Sequence, residues 1–334
     1  MIPLQRAVGG IRFTHRSVVR LRELLPAYDV VHFNNLWNPE LVHFARLARE
    51  AQKPYVVTPH GTLDPWSMGQ RRGKKRAYLA LAGGRLLRGA AALHFTAAVE
   101  QSSAEQWVTP QASAVIPNVV DLEAFFPGAA GDDSCAGGGS PPTLLFLSRL
   151  HPKKRPELLI SAVAVLRDTD VAVQVAIAGS GEASYVAGLQ DLVAGLSLGD
   201  RIRFLGTVGG QAKIDLYRSA DLFVVPTSQE NFGIVFVEAL ASALPVVATT
   251  GTDIWPELSG TGGAVICDLD REPQPAVKLA EVIAELLADP ARRRSMAEAG
   301  RAGVQEWLDT DRTCAALAAF YQGAIDRSTE RYGV

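Results

Sequence analysis

Two glutamates, Glu230 and Glu238, stand eight residues apart, separated by a Phe-Gly turn and an apolar run. A helix starting near Phe232 would carry Glu238 about two turns in and leave Glu230 in the loop just before it. A helix N-terminus offers unpaired N–H groups and a partial positive charge, which suit a phosphate. An ionised glutamate accepts hydrogen bonds only, so a carboxylate on each side of that site suits hydroxyl-rich ligands. Together these residues describe a pocket for a phosphate flanked by two sugars, the anatomy of a sugar nucleotide.

Cations are available for the phosphate. Arg149 and Lys154 follow a strand in Ser-Arg-Leu-His-Pro-Lys-Lys-Arg-Pro. Arg offers a forked match to phosphate and Lys a point charge. The other reading is a solvated basic loop, and Lys153 and Arg155 are expected to face solvent. Gly179-Ser180-Gly181-Glu182 also lies between a strand and a helix. Ser184 stands where a full dinucleotide fingerprint needs its third glycine. A tight turn and a close approach to a nucleotide both fit Gly179. His60-Gly61 ends a strand in the first half, where a functional and a structural histidine are both consistent; His32, at another strand end, ranks lower. Arg71, Arg72, Lys74, Lys75, Arg76, Arg85 and Arg88 alternate with leucines, which suits either an interfacial helix on anionic lipid or a charged helix surface. Asp268-Leu269-Asp270 spells a metal-binding Asp-x-Asp but is read as a loop coincidence, so no metal site is assigned. A Gly-x-Ser-x-Gly elbow, a P-loop and a His-Glu-x-x-His motif are all absent from the sequence.

The elements that must hold these residues alternate. Strand-like runs at 29–33, 54–58, 91–96 and 114–116 accompany helical patterns at 39–51 and 74–88. Residues 127–142, rich in Gly, Pro and Ser, read as a linker. The alternation then restarts, with strands at 143–148, 171–178, 202–205, 222–226 and 245–248 and helices at 156–167, 185–195, 211–218 and 232–242. An amphipathic helix is expected at 311–327, and 249–310 carries no assigned element. Continuous apolar strands alternating with helices mean parallel sheets covered on both faces, an α/β class with two Rossmann-like domains. The expected divisions are 1–127, a linker at 128–142, 143–310, and 311–334 returning to the first domain. Ligands of such open sheets bind outside the carboxyl ends of the strands.

The 334 residues suffice for two cores, and 48% hydrophobic with 20% charged residues is ordinary for a globular chain. A net charge of −2 gives no overall pull toward nucleic acid. Three scattered cysteines fit a reducing compartment and no zinc spacing. No apolar run reaches membrane-spanning length and no signal peptide is visible, so a cytoplasmic protein, peripheral at most on the inner face of the cell membrane, is expected.

The motifs resemble those of GT-B retaining glycosyltransferases of family 4 (group 1), from about Tyr28 onward. Glu-Asn-Phe-Gly-x-x-x-x-Glu-Ala matches that family's Glu-x7-Glu motif. Ser-Arg-Leu-x-x-x-Lys, Ile-Pro-Asn-Val-Val-Asp and Phe-Leu-Gly-x-Val also match, and His-Gly-Thr-Leu-Asp-Pro-Trp is similar to members that build bacterial surface polysaccharides. The resemblance implies that Arg149 and Lys154 hold the donor diphosphate, and that Glu230 contacts the transferred sugar beside the Asn231, Phe232 and Gly233 backbone. It further implies that Glu238 binds the ribose, the Ile234 and Val235 backbone reaches phosphate, Gly206 to Val208 line the base, and His60 lies near the anomeric carbon. A UDP- or GDP-linked donor, a saccharide or polyprenyl-linked acceptor, front-face retention and no metal or other cofactor follow from the same resemblance. Family members carry further βα units before the region matching Asp29, so the first domain is expected to be truncated, with Gly9-Gly10 not equated with the family's Gly-rich loop. Competing readings are a sugar-nucleotide-binding protein without turnover and a sugar-nucleotide epimerase relative.

Overall fold

The computed structural model describes residues 15–126 and 141–332. Gly9-Gly10 and nearly all of the 127–142 linker lie outside them. The chain divides into two compact units, Met1–Val119 with Thr310–Val334, and Val120–Asp309.

The first unit runs α1 (His15–Leu24), β1 (Val31–Asn34), α2 (Pro39–Glu50), β2 (Tyr55–Thr58), α3 (Pro65–Gly69), α4 (Arg72–Tyr78), a π turn (Leu79–Gly83), α5 (Gly84–Arg88), β3 (Ala92–Phe95), α6 (Ala98–Glu105) and β4 (Ser113–Val115). Its parallel sheet has the order β1-β2-β3-β4. Alternate strand residues feed two cores, as the two-residue period of a strand requires. Tyr55, Val57, Leu93 and Phe95 point into one with Phe33, Phe44 and Leu86. Val56 and Ala92 point into the other, which is closed by Phe320 and Ala324. Those two belong to the last helix, α14 (Thr310–Tyr332), so the chain's end covers one face of its first sheet.

The second unit runs β5 (Thr143–Leu147), α7 (Pro156–Asp168), β6 (Gln174–Ala178), α8 (Ala183–Gly195), β7 (Ile202–Gly206), α9 (Gly210–Ser219), β8 (Leu222–Val224), α10 (Ile234–Ala241), β9 (Val246–Thr249), α11 (Trp255–Gly260), β10 (Ala264–Cys267), α12 (Pro275–Ala288) and α13 (Pro290–Trp307). Its six strands are parallel, in the order β10-β9-β8-β5-β6-β7. The central strands β8 and β9 are buried along their whole length, which is why their sequences are unbroken apolar runs.

Three expectations need correction. Residues 249–310 hold α11, β10, α12 and α13, so the second sheet gains an edge strand and a helical layer. The first unit ends at Val119 rather than at 127, because residues 120–126 pack on the second unit: the Phe125 ring lies 5.9 Å from the Tyr217 ring, and the Phe126 carbonyl accepts from Arg218. Helix α10 begins at Ile234, two residues later than expected.

Candidate functional site

The order of the second sheet reverses between β5 and β8. From β5 the chain moves outward through β6 and β7, and from β8 through β9 and β10 in the other direction. The loops leaving the carboxyl ends of β5 and β8 therefore emerge side by side with no helix between them. They are bonded together: the Lys153 carbonyl accepts from Ser228 N (2.8 Å) and from the Thr227 hydroxyl (2.9 Å).

This junction brings Lys154 onto Glu230. A 3-10 turn at Pro152–Lys154, started by His151 Nδ1 accepting from Lys153 N, aims Lys154 inward. Its side chain is 5% exposed, and Nζ donates to Glu230 Oε2. Burial, with Lys153 and Arg149 adding like charge, pulls this ammonium down to about 7. Glu230 is itself fixed at both backbone ends, its N–H donating to Gly251 O (2.8 Å) and its carbonyl accepting from Asp253 N (2.9 Å). Gly251 permits this: a Cβ there would sit 2.3 Å from the Thr227 carbonyl oxygen. Arg149, on the same loop as Lys154, is exposed and has no hydrogen bond or ion pair with a described residue. Lys153 and Arg155 do not simply face solvent as expected. Lys153 donates to Gln229 Oε1 at 2.9 Å, and Arg155 pairs with Asp270, which gives half of the Asp-x-Asp its own structural partner.

Next to Lys154 and Glu230 lies the start of α10. Gly233 precedes it with φ +63°, a conformation that costs an L side chain energy, and a Cβ there would meet the Phe236 ring at 2.6 Å. The first turn leaves the N–H groups of Ile234 and Val235 short of carbonyl partners, as every helix start does. Asn231 donates its side-chain amide to Asp253 at 3.2 Å. Phe232 is buried against Trp307, so what it can offer a ligand is backbone.

Glu238 sits five residues into α10, nearer its start than the sequence reading placed it, and is buried. Both of its oxygens are engaged. Oε1 accepts from Lys213 Nζ at 2.6 Å and Oε2 from the Tyr217 hydroxyl at 2.9 Å. Burial and this carboxylate push the Tyr217 phenol well above its ordinary range, so it stays a donor. Each carboxylate oxygen keeps a second lone-pair direction for a further hydroxyl. Lys213 and Tyr217, four apart on one face of α9, carry no signal of this role in the sequence. A tyrosine buried at helical spacing is an ordinary core signal, and only the fold shows that α9 faces α10.

Gly179 and Gly181 have an internal explanation. A Cβ on Gly179 would lie 1.8 Å from the Ser148 carbonyl oxygen, and one on Gly181 2.1 Å from that of Leu150. These glycines let the loops after β5 and β6 touch, forming a Leu150–Gly181 bridge. Gly206, at the end of β7 with φ +68°, accepts from Gly179 N at 2.7 Å, and Val208 beyond it is half-buried. Gly179, Gly206 and Val208 therefore share one strand-end edge, flanking Arg149 rather than Glu230.

His60 belongs to the first unit. It adopts φ +54° beyond the end of β2, and its Nε2 hydrogen-bonds Asn34 Oδ1 at 2.9 Å. Buried Glu100 anchors the loop by accepting from Gly61 N at 2.7 Å and from Thr96 N at 2.8 Å. Desolvation holds the His60 imidazole below its ordinary pKa, which keeps it neutral. Deeper in this unit, the Tyr321 hydroxyl meets His32 Nδ1 (2.8 Å), His32 Nε2 meets Thr58 Oγ1 (2.6 Å), and Thr58 Oγ1 meets His94 Nδ1 (2.8 Å). His94 Nε2 ends the series at Ile116 O (2.7 Å). A carbonyl can only accept, so every proton is assigned: His94 donates to Ile116, Thr58 to His94, His32 to Thr58 and Tyr321 to His32. His32, ranked low on sequence, is thus a neutral structural link.

A family model described as "Glycosyl transferases group 1" matches residues 137–303, and one described as "Glycosyl transferase 4-like domain" matches residues 2–119. A D-inositol 3-phosphate glycosyltransferase of Kineococcus radiotolerans is 35% identical over 242 residues, 66% of this chain and 54% of the relative. A GDP-mannose-dependent monoacylated alpha-(1-6)-phosphatidylinositol monomannoside mannosyltransferase of Corynebacterium glutamicum is 32% identical, over 58% of this chain and 51% of its own length. The chain thus spans about half the length of these curated relatives. Among solved structures, Anabaena Alr3699/HepE in complex with UDP superposes with a TM-score of 0.75 at 21% identity, over 92% of this chain and 82% of that one. Two parallel-sheet Rossmann-like units, the Glu-x7-Glu stretch at the β8–α10 junction and both family matches lead to one conclusion: the chain belongs to the group 1 (family 4) glycosyl transferases of GT-B fold.

Proposed function

We propose that the chain is a retaining, metal-independent glycosyltransferase that moves a sugar from a UDP- or GDP-linked donor to a saccharide or polyprenyl-linked acceptor in bacterial polysaccharide synthesis. The observation that carries this reading is the buried Lys154 on Glu230 at the β5–β8 junction, beside the start of α10. The donor diphosphate takes the α10 N-terminus, Arg149 and Lys154. When the phosphate draws the Lys154 ammonium, Glu230 is released to accept from hydroxyls of the transferred sugar. Glu238, preset by Lys213 and Tyr217, accepts from the ribose, and the β7 edge at Gly206 and Val208 lines the base.

In the transfer step the bond from the anomeric carbon to the diphosphate breaks, and a bond to the acceptor hydroxyl forms on the same face. The acceptor's proton passes to the departing phosphate oxygen. Charge grows on that phosphate, so fixed cations aimed at it are the protein's main contribution. The UDP complex of the Anabaena neighbour and the GDP-mannose dependence in the Corynebacterium relative's name support a nucleotide-sugar donor. Catalysis on the cytoplasmic side fits a nucleotide-sugar supply.

The test has two stages. Calorimetric titration with UDP, GDP and ADP should show binding to one of them. Mass spectrometry of reactions with a donor panel and polyprenyl-linked acceptors should show transfer that Lys154→Ala and Glu230→Ala abolish. Binding to none of the nucleotides, or transfer that survives both substitutions, would overturn the proposal.

A further inference from the structure

Charge is unevenly spread in the first unit. Between Asp64 and Glu100 the sequence has no acidic residue but holds seven cations, while the whole chain carries −2. These cations lie on α4 and α5, which the π turn joins into a continuous helical segment from residue 72 to 88, or just before it. One is drawn inward, Lys75, which donates to Ser67 O (2.6 Å) and lies 4.8 Å from the Trp37 ring centre, while the exposed Arg76 has its guanidinium 5.7 Å from the Trp107 ring centre. The other six, Arg71, Arg72, Lys74, Arg76, Arg85 and Arg88, are exposed, and none pairs with a described carboxylate. An ordinary charged helix surface would mix signs, as α2 does with Arg46 on Glu50.

Apolar side chains stand among these cations. Leu81, four residues before Arg85, is 71% exposed, the highest value of any large apolar residue described. Trp66 on α3, adjoining the turn that holds Lys75, is 38% exposed. The inward side is firmly packed: Leu86 and Leu87 are buried, and the Tyr78 hydroxyl donates to Leu36 O. Leu81 therefore faces out although the segment has a core side to pack on. Exposed cations with no described carboxylate partner, around a protruding leucine and a partly exposed tryptophan, match a bilayer surface, where cations meet anionic head groups and apolar side chains enter the acyl boundary. A nucleic-acid groove would be served by the cations but would gain nothing from an isolated leucine.

We infer that the helical segment of residues 71–88, with Trp66, is a docking surface for an anionic lipid bilayer. The fold ties this surface to the His60 loop, since Lys75 grips the α3 turn, buried Asp64 caps α3 through Ser67 N (2.6 Å), and Glu100 holds Gly61. A docked chain therefore holds the His60 loop in a fixed relation to the membrane, a geometry suited to an acceptor whose tail stays in lipid.

The test is vesicle flotation of the full chain, with phosphatidylcholine vesicles that do or do not contain phosphatidylglycerol. The chain should float with the anionic vesicles only. It should be released at about 1 M salt, where electrostatic screening acts within about 3 Å. Each exposed cation near the surface contributes a factor of about five in partitioning, so Arg72→Ala/Lys74→Ala/Arg76→Ala should bind about 100-fold more weakly. Leu81→Ser should weaken vesicle binding and leave binding to a duplex oligonucleotide unchanged, while Arg46→Ala, at an ion-paired site, should float as the parent does. Failure to float with anionic vesicles, equal flotation of the triple variant, or equal loss of vesicle and oligonucleotide binding in Leu81→Ser would each overturn the inference. The readout does not involve transfer, so its failure is distinguishable from failure of the proposed activity.

Discussion

Lys154 makes the sharpest test of how the β5–β8 junction is built. Its ammonium is taken from an ordinary value of 10.5 to about 7 by burial. At about 1.4 kcal/mol per pH unit, keeping the charged form in the folded state costs at most roughly 5 kcal/mol. Contact with Glu230 offsets part of that cost. The sign comes from proton counting. Between about pH 7 and 10.5 the unfolded chain holds the Lys154 proton and the folded chain does not, so the group's penalty is complete below pH 7 and disappears as pH rises toward 10.5. Urea unfolding of wild type and Lys154→Met across that range isolates the effect. The difference in unfolding free energy should rise in favour of wild type by up to about 1.4 kcal/mol per pH unit. In the proposed transfer the same proton matters, because a phosphate needs the ammonium: kcat/KM should fall above pH 7 in wild type, and Lys154→Met should lose about 100- to 1000-fold. Parallel pH–stability curves would refute the burial argument. A flat alkaline limb in kcat/KM would refute the role assigned to the charge.

Other consequences are more local. Gly233→Ala should cost about 2–4 kcal/mol, combining left-handed strain with a Cβ 2.6 Å from the Phe236 ring; a melting temperature unchanged within error would contradict the geometry. Tyr217→Phe strips Glu238 of a buried donor and should destabilise by about 1–3 kcal/mol in urea titrations while weakening nucleotide binding. His32, held down to about 4 chiefly by burial, gives the opposite pH window from Lys154's. The unfolded chain takes up a proton from about pH 6.5 downward and the folded one only near 4, so up to about 3 kcal/mol is lost as pH falls through that interval. Replacing His32 with Gln should remove that acid-limb dependence in thermal melts at matched pH values.

Much of the site was legible because strand ends announce themselves. Lys154 and Arg149 follow an apolar run, Glu230 follows another, and parallel sheets put such loops on one edge. The sequence does not say which two strands will be neighbours, so the direct Lys154–Glu230 contact had to come from the sheet order. Likewise, Lys213 and Tyr217 look like a surface lysine and a core tyrosine until α9 is seen against α10. The chain of hydrogen bonds from Tyr321 to His94 joins residues 289 positions apart at its first link, a separation no local pattern spans. Helix α12 is a different case. Its buried Leu279, Ala280, Ile283 and Leu286 recur at helical spacing after a starting Pro275, a readable pattern in a stretch left unassigned. The short edge strand β10, half-buried over three of its four residues, offers no comparable signal.

The return of α14 to the first sheet also sets an order of manufacture. Residues 120–309 form one uninterrupted unit, complete in sequence before α14 is made. The first sheet waits longer: the face at Val56, Ala92 and Ile116 stays open until Phe320 and Ala324 are made, about 200 residues after Ile116. On a ribosome the second unit can therefore close while the first still exposes apolar surface, since domains fold as units once their chain is available. A chaperone engaged with the nascent chain would be expected on β2 and β3 rather than on β5 to β10. Crosslinking of stalled chains ending before and after α14 would show whether that contact ends when the last helix emerges.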